Sequence, residues 1–419
     1  MSRLAHPWAP RWLAAMVALV LGASVASAAP KAAPSKNLLI NPGFEDRLPN
    51  HPWMPAGWDT SVSGLPTVFF GCDTFLVHSG KFAANVANVS SYLPMAHNWS
   101  QSVEVGKEAW GKDLLFTVWT RSNGVNGRAY CVLQAYRDTI SKMAKEWGIP
   151  RDDAAQRLHI NRVDDPLLDF GWKRIYFNDA ETEWVKREMR VYCAPGVNMV
   201  FVRCGVTGTG QLLIDDASLT LEPALPAPPL AAGQNLISDP GFEGDGANWE
   251  YAVPPYAGLV CERDSTHAHS GKMCMHFETL MGAEYPRAPV QARLGVCQPI
   301  TNRNLGGKRV KMTAWVKTDS LKGVAFLKIY SHGLYGMDQG IASEQYSLDT
   351  PWTQTTQVFD VPPDTYQLWA WCLYEVPVPG QVYFDDVTLE VLGPTPPPPT
   401  IPKNPAVNAS RSENGKSKK

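Results

Sequence analysis

Apolar and polar positions alternate along much of this chain in short runs. FTVWTRS (116–122), VFVRCGV (200–206), VAFLKIYS (324–331) and LWAWCLY (368–374) are the clearest. Such period-two runs, roughly four to eight residues long, mark strands that bury one face. Gly, Pro, Asn and Asp punctuate them, as turns require. Many short strands and few helical stretches predict an all-β chain built as antiparallel β-sandwich. Parity then divides each strand into two faces. Phe116 and Val118, like Met312, Ala314 and Val316, form a core set, which leaves Trp119 and Trp315 on the other side. Ala129, Cys131, Leu133 and Ala135 point inward and leave Tyr130, Val132, Gln134 and Tyr136 outward. Val200, Val202 and Cys204 leave Phe201 and Arg203 outward. Ala325, Leu327 and Ile329 leave Phe326, Lys328 and Tyr330, and Leu368, Ala370 and Cys372 leave Trp369 and Trp371.

The pattern occurs twice. NLLINPGFE (37–45) returns as NLISDPGFE (235–243), and VHSGKFAANV (77–86) as AHSGKMCMHF (268–277). KDLLFTVWTRS (112–122) returns as KRVKMTAWVKT (308–318), and GQLLIDDASLTLE (210–222) as GQVYFDDVTLEV (380–391). Four blocks in one order, twice, define a tandem duplication. Copy one spans 37–222 and copy two 235–392, joined by a proline- and alanine-rich stretch at 223–234 with the composition of a semi-rigid linker. Trp58 matches Trp249, and Trp184 matches Trp352; aromatics kept at one place in both copies are expected to be structural. Copy one is longer between Tyr136 and Trp184 than copy two between Tyr330 and Trp352. The excess, about 138–175, contains DTISKMAKEWG and RDDAAQRL and predicts one or two short helices, with Trp147 and Trp172 as candidate lids. From 393 to 419 the chain is proline-rich, then polar and basic, the composition of extended, solvated chain.

Composition narrows the functional classes. Arg3 and Arg11, an apolar run from Leu13 to Val25 and the small residues Ala26-Ser27-Ala28 read as a signal peptide at 1–28. The mature protein is therefore expected to be secreted, periplasmic or extracellular. No later stretch is long and apolar enough to span a bilayer. The formal net charge of −2 offers no basic field for nucleic acid. Eight cysteines divide evenly between the copies, so disulfides within each half are expected of an exported chain. Cys261 and Cys274 are one candidate pair. No cysteine or histidine cluster has zinc spacing.

The order of NLLxNPGFE, HSGK, a strand ending in Trp and a basic residue, and a closing DD strand resembles the jelly-roll carbohydrate-binding modules found beside bacterial cellulases and xylanases. These have a galactose-binding-like fold, and the resemblance covers both copies. It implies a structural calcium between the acid of the GFE block, carbonyls near the HSGK turn and an aspartate of the closing strand. The matching positions are Glu45 with Asp215 or Asp216, and Glu243 with Asp385 or Asp386. Calcium takes several hard oxygen donors, so the chemistry is consistent; the other reading is that these acids hydrogen-bond backbone amides at the sandwich rim. The resemblance also implies a groove on the concave face of one sheet.

Three strands of each copy have a second face rich in aromatic, basic and amide groups. A sugar presents C–H patches to flat rings and hydroxyls to polar neighbours. The candidate glycan residues are Trp315, Phe326, Lys328, Tyr330, Trp369 and Trp371 in copy two, and Trp119, Tyr130, Gln134, Tyr136, Phe201 and Arg203 in copy one. The expected partner is a polysaccharide or glycan, with a separate glycoside hydrolase or cell-surface component beside it. The competing reading is a structural or adhesion protein whose faces are covered by protein. Catalysis is not expected: no GxSxG, HExxH or GxxxxGK[ST] occurs. The carboxylates Asp152, Asp153, Asp164, Asp165 and Asp169 sit in the insertion and have no counterpart in copy two.

Overall fold

A computed structural model describes residues 35–60, 66–90, 96–157, 167–177, 183–244, 246, 248–252, 259–279, 293–333, 339–375 and 379–397. The segment 1–28, expected to be a signal peptide, and nearly all of the C-terminal tail lie outside these residues. Copy one contains β1 (Arg47–Leu48), β2 (His51–Pro55), β3 (Asp59–Thr60), β4 (Val68–Asp73), β5 (Ala83–Asn88) and β6 (Ala96–Glu104). It continues with β7 (Lys112–Asp138), α1 (Thr139–Trp147), α2 (Arg151–Arg157), β8 (Leu167–Phe177), β9 (Val185–Tyr192) and β10 (Met199–Pro223). Copy two contains β11 (Glu250–Ala252), β12 (Leu259–Asp264), β13 (Cys274–Thr279), β14 (Arg293–Thr301) and β15 (Lys308–Gly333). It closes with β16 (Gln339–Ala342), β17 (Tyr346–Asp360), β18 (Thr365–Glu375) and β19 (Gly380–Pro394). The strand pairings are antiparallel, and the chain is all-β as its alternation predicts.

Each copy is two sheet layers joined by long strands that cross between them. In copy one the first half of β10 lies between β6 and the second half of β7, and β8 extends that layer. The second half of β10 lies between β5 and the first half of β7, with β4 and β9 at the edges. The crossover is made at Gly127 (φ 132°) and Gly208 (φ 82°), where a Cβ on either would run into a carbonyl of the facing strand. Only glycine permits that approach. Copy two repeats the arrangement, with β11-β14-β18-β15-β16 in one layer and β12-β13-β19-β15-β17 in the other.

The inward residues read from parity are the core. Ala129, Cys131, Leu133, Ala135, Val200, Val202 and Cys204 are fully buried in one cluster, and Ala325, Leu327, Ile329, Leu368, Ala370 and Cys372 in its twin. Trp58 and Trp249 are buried against Phe44 and Phe242, with ring centroids 4.7 Å apart in both copies. Each indole N–H donates to a carbonyl, of Asn41 and Asp239 respectively.

The insertion holds α1 and α2, as its composition predicts, and then adds β8, which pairs along β7. The eight cysteines are thiols, so the expected disulfides are not present among them. Cys261 faces Phe277 across the ladder and Cys274 faces Asp264; they share a hairpin but not a register position. The linker is held down: Leu225 N–H donates to Asp113 at 2.9 Å, and Asn302 and Asn304 donate to the Pro228 carbonyl.

Candidate functional site

The repeated HSGK and DD blocks build the same cluster twice. The first aspartate ties the turn to the last strand. Asp215 accepts the amides of His78 at 2.9 Å and Ser79 at 3.1 Å, and Asp385 accepts those of His269 at 2.8 Å and Ser270 at 3.0 Å. Each also accepts the amide of the aspartate that follows it. Burial pushes the Asp215 carboxyl up to about 6, against the pull of these N–H donors. The second aspartate takes the imidazole, His78 to Asp216 at 2.6 Å and His269 to Asp386 at 2.7 Å. That pairing orients each ring to stack on a tryptophan, Trp119 at 4.0 Å and Trp315 at 3.9 Å between centroids. Trp184 and Trp352 close the clusters edge-on.

Trp119 and Trp315 therefore stand with the rim cluster and not with the other glycan candidates. They lie in the first halves of β7 and β15, before the crossover, and so in the other layer. Parity holds within a layer and does not carry across it.

Glu45 and Glu243 each use one carboxylate oxygen to accept two amides of the HSGK turn, at 2.8 and 3.2 Å and at 2.7 and 3.1 Å. The second oxygen has no such donor. The acids also converge on a glycine: a Cβ on Gly43 would sit 3.8 Å from Asp216 Oδ1 and 3.9 Å from Glu45 Cγ. On Gly241 it would sit 3.9 Å from Asp386 Oδ1 and 3.6 Å from Glu243 Cγ. His269, Asp385 and Asp386 also bring one ligand atom each to within 4.8 Å of one another. The second aspartates are engaged as well, Asp216 Oδ1 accepting from the Ser79 hydroxyl at 2.9 Å and Asp386 Oδ1 from that of Ser270 at 2.6 Å, so a calcium ion here would share these oxygens with the hydroxyls and take the second oxygen of the glutamate. The first aspartates, Asp215 and Asp385, spend their oxygens on N–H groups.

The aromatic second faces are brought together by the fold, in two sets. In copy two, register places Trp369 opposite Tyr330 and Trp371 opposite Lys328. The two indoles stack with centroids 6.1 Å apart, and Lys328 Nζ lies 4.3 Å above the Tyr330 ring. All four are half-buried. Phe326, at the other end of this face, is buried together with Leu373 and Cys297. Strand β8 of copy one packs there, against β14, β15 and β18.

Copy one's face is largely closed. Tyr130, Val132 and Gln134 are buried, while Tyr136, Phe201 and Arg203 are half-buried. Tyr136 and Phe201 meet edge-on at 6.5 Å, and the Arg203 guanidinium lies 4.1 Å over Phe201. The Tyr130 hydroxyl accepts from Asn98 at 2.9 Å, and burial pushes its phenol up to about 12. What closes this face is copy two. Arg174 on β8, in register with Val132, reaches Glu250 at 2.5 Å, and Tyr176 donates to the same carboxylate at 3.0 Å. Arg128 lies 4.0 Å over Tyr251 and donates to the carbonyls of Gly246 and Trp249. Glu250 is opposite Cys297, on copy two's own second face. The two second faces thus meet in part, and the half-buried portion is the Trp369–Trp371 end of copy two. Of the suggested lids, Trp147 is 41% exposed and meets the Arg157 guanidinium, 5.8 Å over its ring; the Trp172 side chain lies outside the described residues.

Alternation alone did not reveal a cleft beside that half-buried portion. Pro299 and Thr301 of β14, opposite Trp369 and Gln367, form one wall of a cavity of about 370 Å³, with Tyr192, Arg190 and Lys173 of copy one opposite them. The linker prolines Pro226 and Pro228 complete it.

No family model and no curated relative matches this chain. The tandem CBM22-1–CBM22-2 domain of Xyn10C from Paenibacillus barcinonensis is similar to 87% of this chain over 99% of its own length, at 13% identity and a TM-score of 0.29. A module named TmCBM61, solved with β-1,4-galactotriose, matches 45% of this chain over 100% of its length, at 18% identity and a TM-score of 0.28. An enzymatically active domain of tailspike protein 4 from bacteriophage CBA120 matches 38% of this chain over 21% of its length, at 13% identity and a TM-score of 0.30. These are mainly carbohydrate-binding modules. At such identities and TM-scores, function has to be read from this chain's own residues.

Proposed function

We propose that this is an exported, non-catalytic carbohydrate-binding protein that holds a polysaccharide on the Trp369–Trp371 end of copy two's second face. The observation that carries the reading is the stacked Trp369–Trp371 pair, half-buried, with Tyr330 and Lys328 opposite it. Flat rings take the C–H face of a pyranose, and the ammonium beside them orients its hydroxyls. Export rests on the signal-peptide composition of 1–28. A separate glycoside hydrolase or cell-surface component is the partner this function would serve. The calcium reading belongs here too, with Glu45 and Asp216, and Glu243 and Asp386, as the acids that would hold the ion; when bound, it supplies charge neutralisation between the segment ahead of the first strand of a copy and its last strand.

Affinity gel electrophoresis on a panel of polysaccharides tests the proposal. Wild type is expected to be retarded by at least one polymer, and Trp369→Ala/Trp371→Ala to lose that retardation. No retardation on any polymer sinks it. The second reading, a structural role, is favoured by one observation: copy one's second face is already occupied by copy two through Arg174 and Glu250. Under that reading the double variant and wild type migrate alike on every polymer.

A further inference from the structure

We infer that the ligand is an acidic polysaccharide, a uronate-bearing chain, which runs from the Trp369–Trp371 platform into the cleft between the copies. This rests on the carbohydrate-binding reading above and names the class of sugar.

The first ground is continuity. Pro299 is the register partner of Trp369, and Thr301 that of Gln367, so the wall of the cleft is the same sheet face that carries the indoles. The second ground is charge. Lys173, Arg190 and Arg303 line the cleft against the single carboxylate of Asp113. Asp113 is already committed, accepting from Arg190 at 3.2 Å and from Leu225 N–H at 2.9 Å. Arg303 donates to the Leu225 carbonyl and stacks 4.4 Å over Tyr192, with no carboxylate partner among the described residues. Lys173 is exposed and has no anionic partner among the described residues. With Lys328 on the platform, the surface presents cations at both ends, in a chain whose formal net charge is −2. Cations gathered in one concave place on an otherwise balanced chain select anions.

The third ground is an unspent amide. Gln367 lies on the same face, two residues before Trp369, and is fully buried. Neither its Nε2 nor its Oε1 has a hydrogen-bond partner among the described residues. A buried amide without partners costs about 1–3 kcal/mol. Its register partner Thr301 lines the cleft, so this donor and acceptor lie one strand behind the cleft wall.

The test uses the full mature chain and two probes, polygalacturonate and a neutral β-1,4-linked galactan, in affinity gels or calorimetry. Polygalacturonate is expected to bind more tightly, and its binding to weaken steeply from about 0.05 to about 0.5 M salt as screening shortens the reach of the cations. Lys173→Glu, at an exposed position that should not disturb folding, is expected to weaken polygalacturonate about fivefold or more, with neutral galactan unchanged. Equal binding of both polymers, or no effect of Lys173→Glu, overturns the inference. If neutral polymer binds and is lost in Trp369→Ala/Trp371→Ala while polygalacturonate is not bound, the carbohydrate reading stands and the acidic class falls. If no polymer binds, both fall.

Discussion

At the scale of residues, duplication supplies its own control. The His–Trp–Trp clusters at His78 and His269 agree to within a few tenths of an ångström in ring separation, so their aromatics belong to the fold. Trp369 and Trp371 have no such twins, because copy one carries Phe201 and Arg203 there. Asp264 of copy two offers a residue-level measurement. Burial would raise its carboxyl, but the amide and hydroxyl of Thr266, at 2.9 and 2.8 Å, and His267 at 2.6 Å outweigh it and hold it at about 2. The unfolded carboxyl, near 3.8, therefore takes up its proton first as acid is added. The stability this group contributes is whole above pH 4 and lost as pH falls through about 2. Asp264→Asn is expected to cost about 1–2 kcal/mol at pH 6 in urea unfolding, and the gap from wild type to close by about pH 2. A gap that stays constant with pH would show that the hydrogen bonds matter and the charge does not.

At the scale of elements, the decisive piece is β8. It turns copy one's insertion from a lid into a bridge by carrying Arg174 and Tyr176 to Glu250. Both charged side chains are mostly shielded, at 22% and 12% exposure, so removing one strands the other. Glu250→Ala is expected to destabilise the chain by about 3 kcal/mol. It should also speed alkylation of Cys297, whose thiol is buried beneath this contact and whose pKa is held well above the ordinary range by burial. Denaturation curves and mass-resolved alkylation check both effects. An unchanged melting point together with an unreactive Cys297 would mean that β8 is held by its apolar contacts alone. The helices α1 and α2 were legible in the insertion because their composition is helical. The strand was not, because β8 acquires its pairing from β7 and its packing from copy two.

At the scale of the molecule, two sites on one semi-rigid linker would gain from effective concentration. The fold gives a different arrangement: the linker is hydrogen-bonded to both copies, the second faces meet, and the half-buried Trp369–Trp371 pair lies beside a junction cleft. A single cleft makes affinity depend on the docking of the copies, so Glu250→Ala is also expected to weaken polysaccharide binding without touching the platform. Calcium is the other whole-molecule lever, since each proposed ion would join the segment ahead of the first strand of a copy to its last strand. Calcium at a hundredfold excess over its dissociation constant is expected to add about 2.7 kcal/mol per linked site, raising the melting temperature over a chelated sample. Glu45→Gln with Glu243→Gln should abolish that rise. A melting temperature indifferent to calcium would leave these acids as acceptors of turn amides, the role they already have in the hydrogen-bond network.

The alternation of the chain determined its sandwiches, the members of its core and the identity of its two copies, because burial of one face is a local property that period two records. The repeat located the rim clusters for the same reason: the glycine turns and the Asp–amide bonds are specified within short blocks. Which outward faces stay open was decided only by the tertiary structure. Covering Tyr130, Gln134 and Phe326 requires β8 and copy two to arrive from far along the chain, and an outward aromatic is written the same way whether water, a sugar or another sheet lies against it.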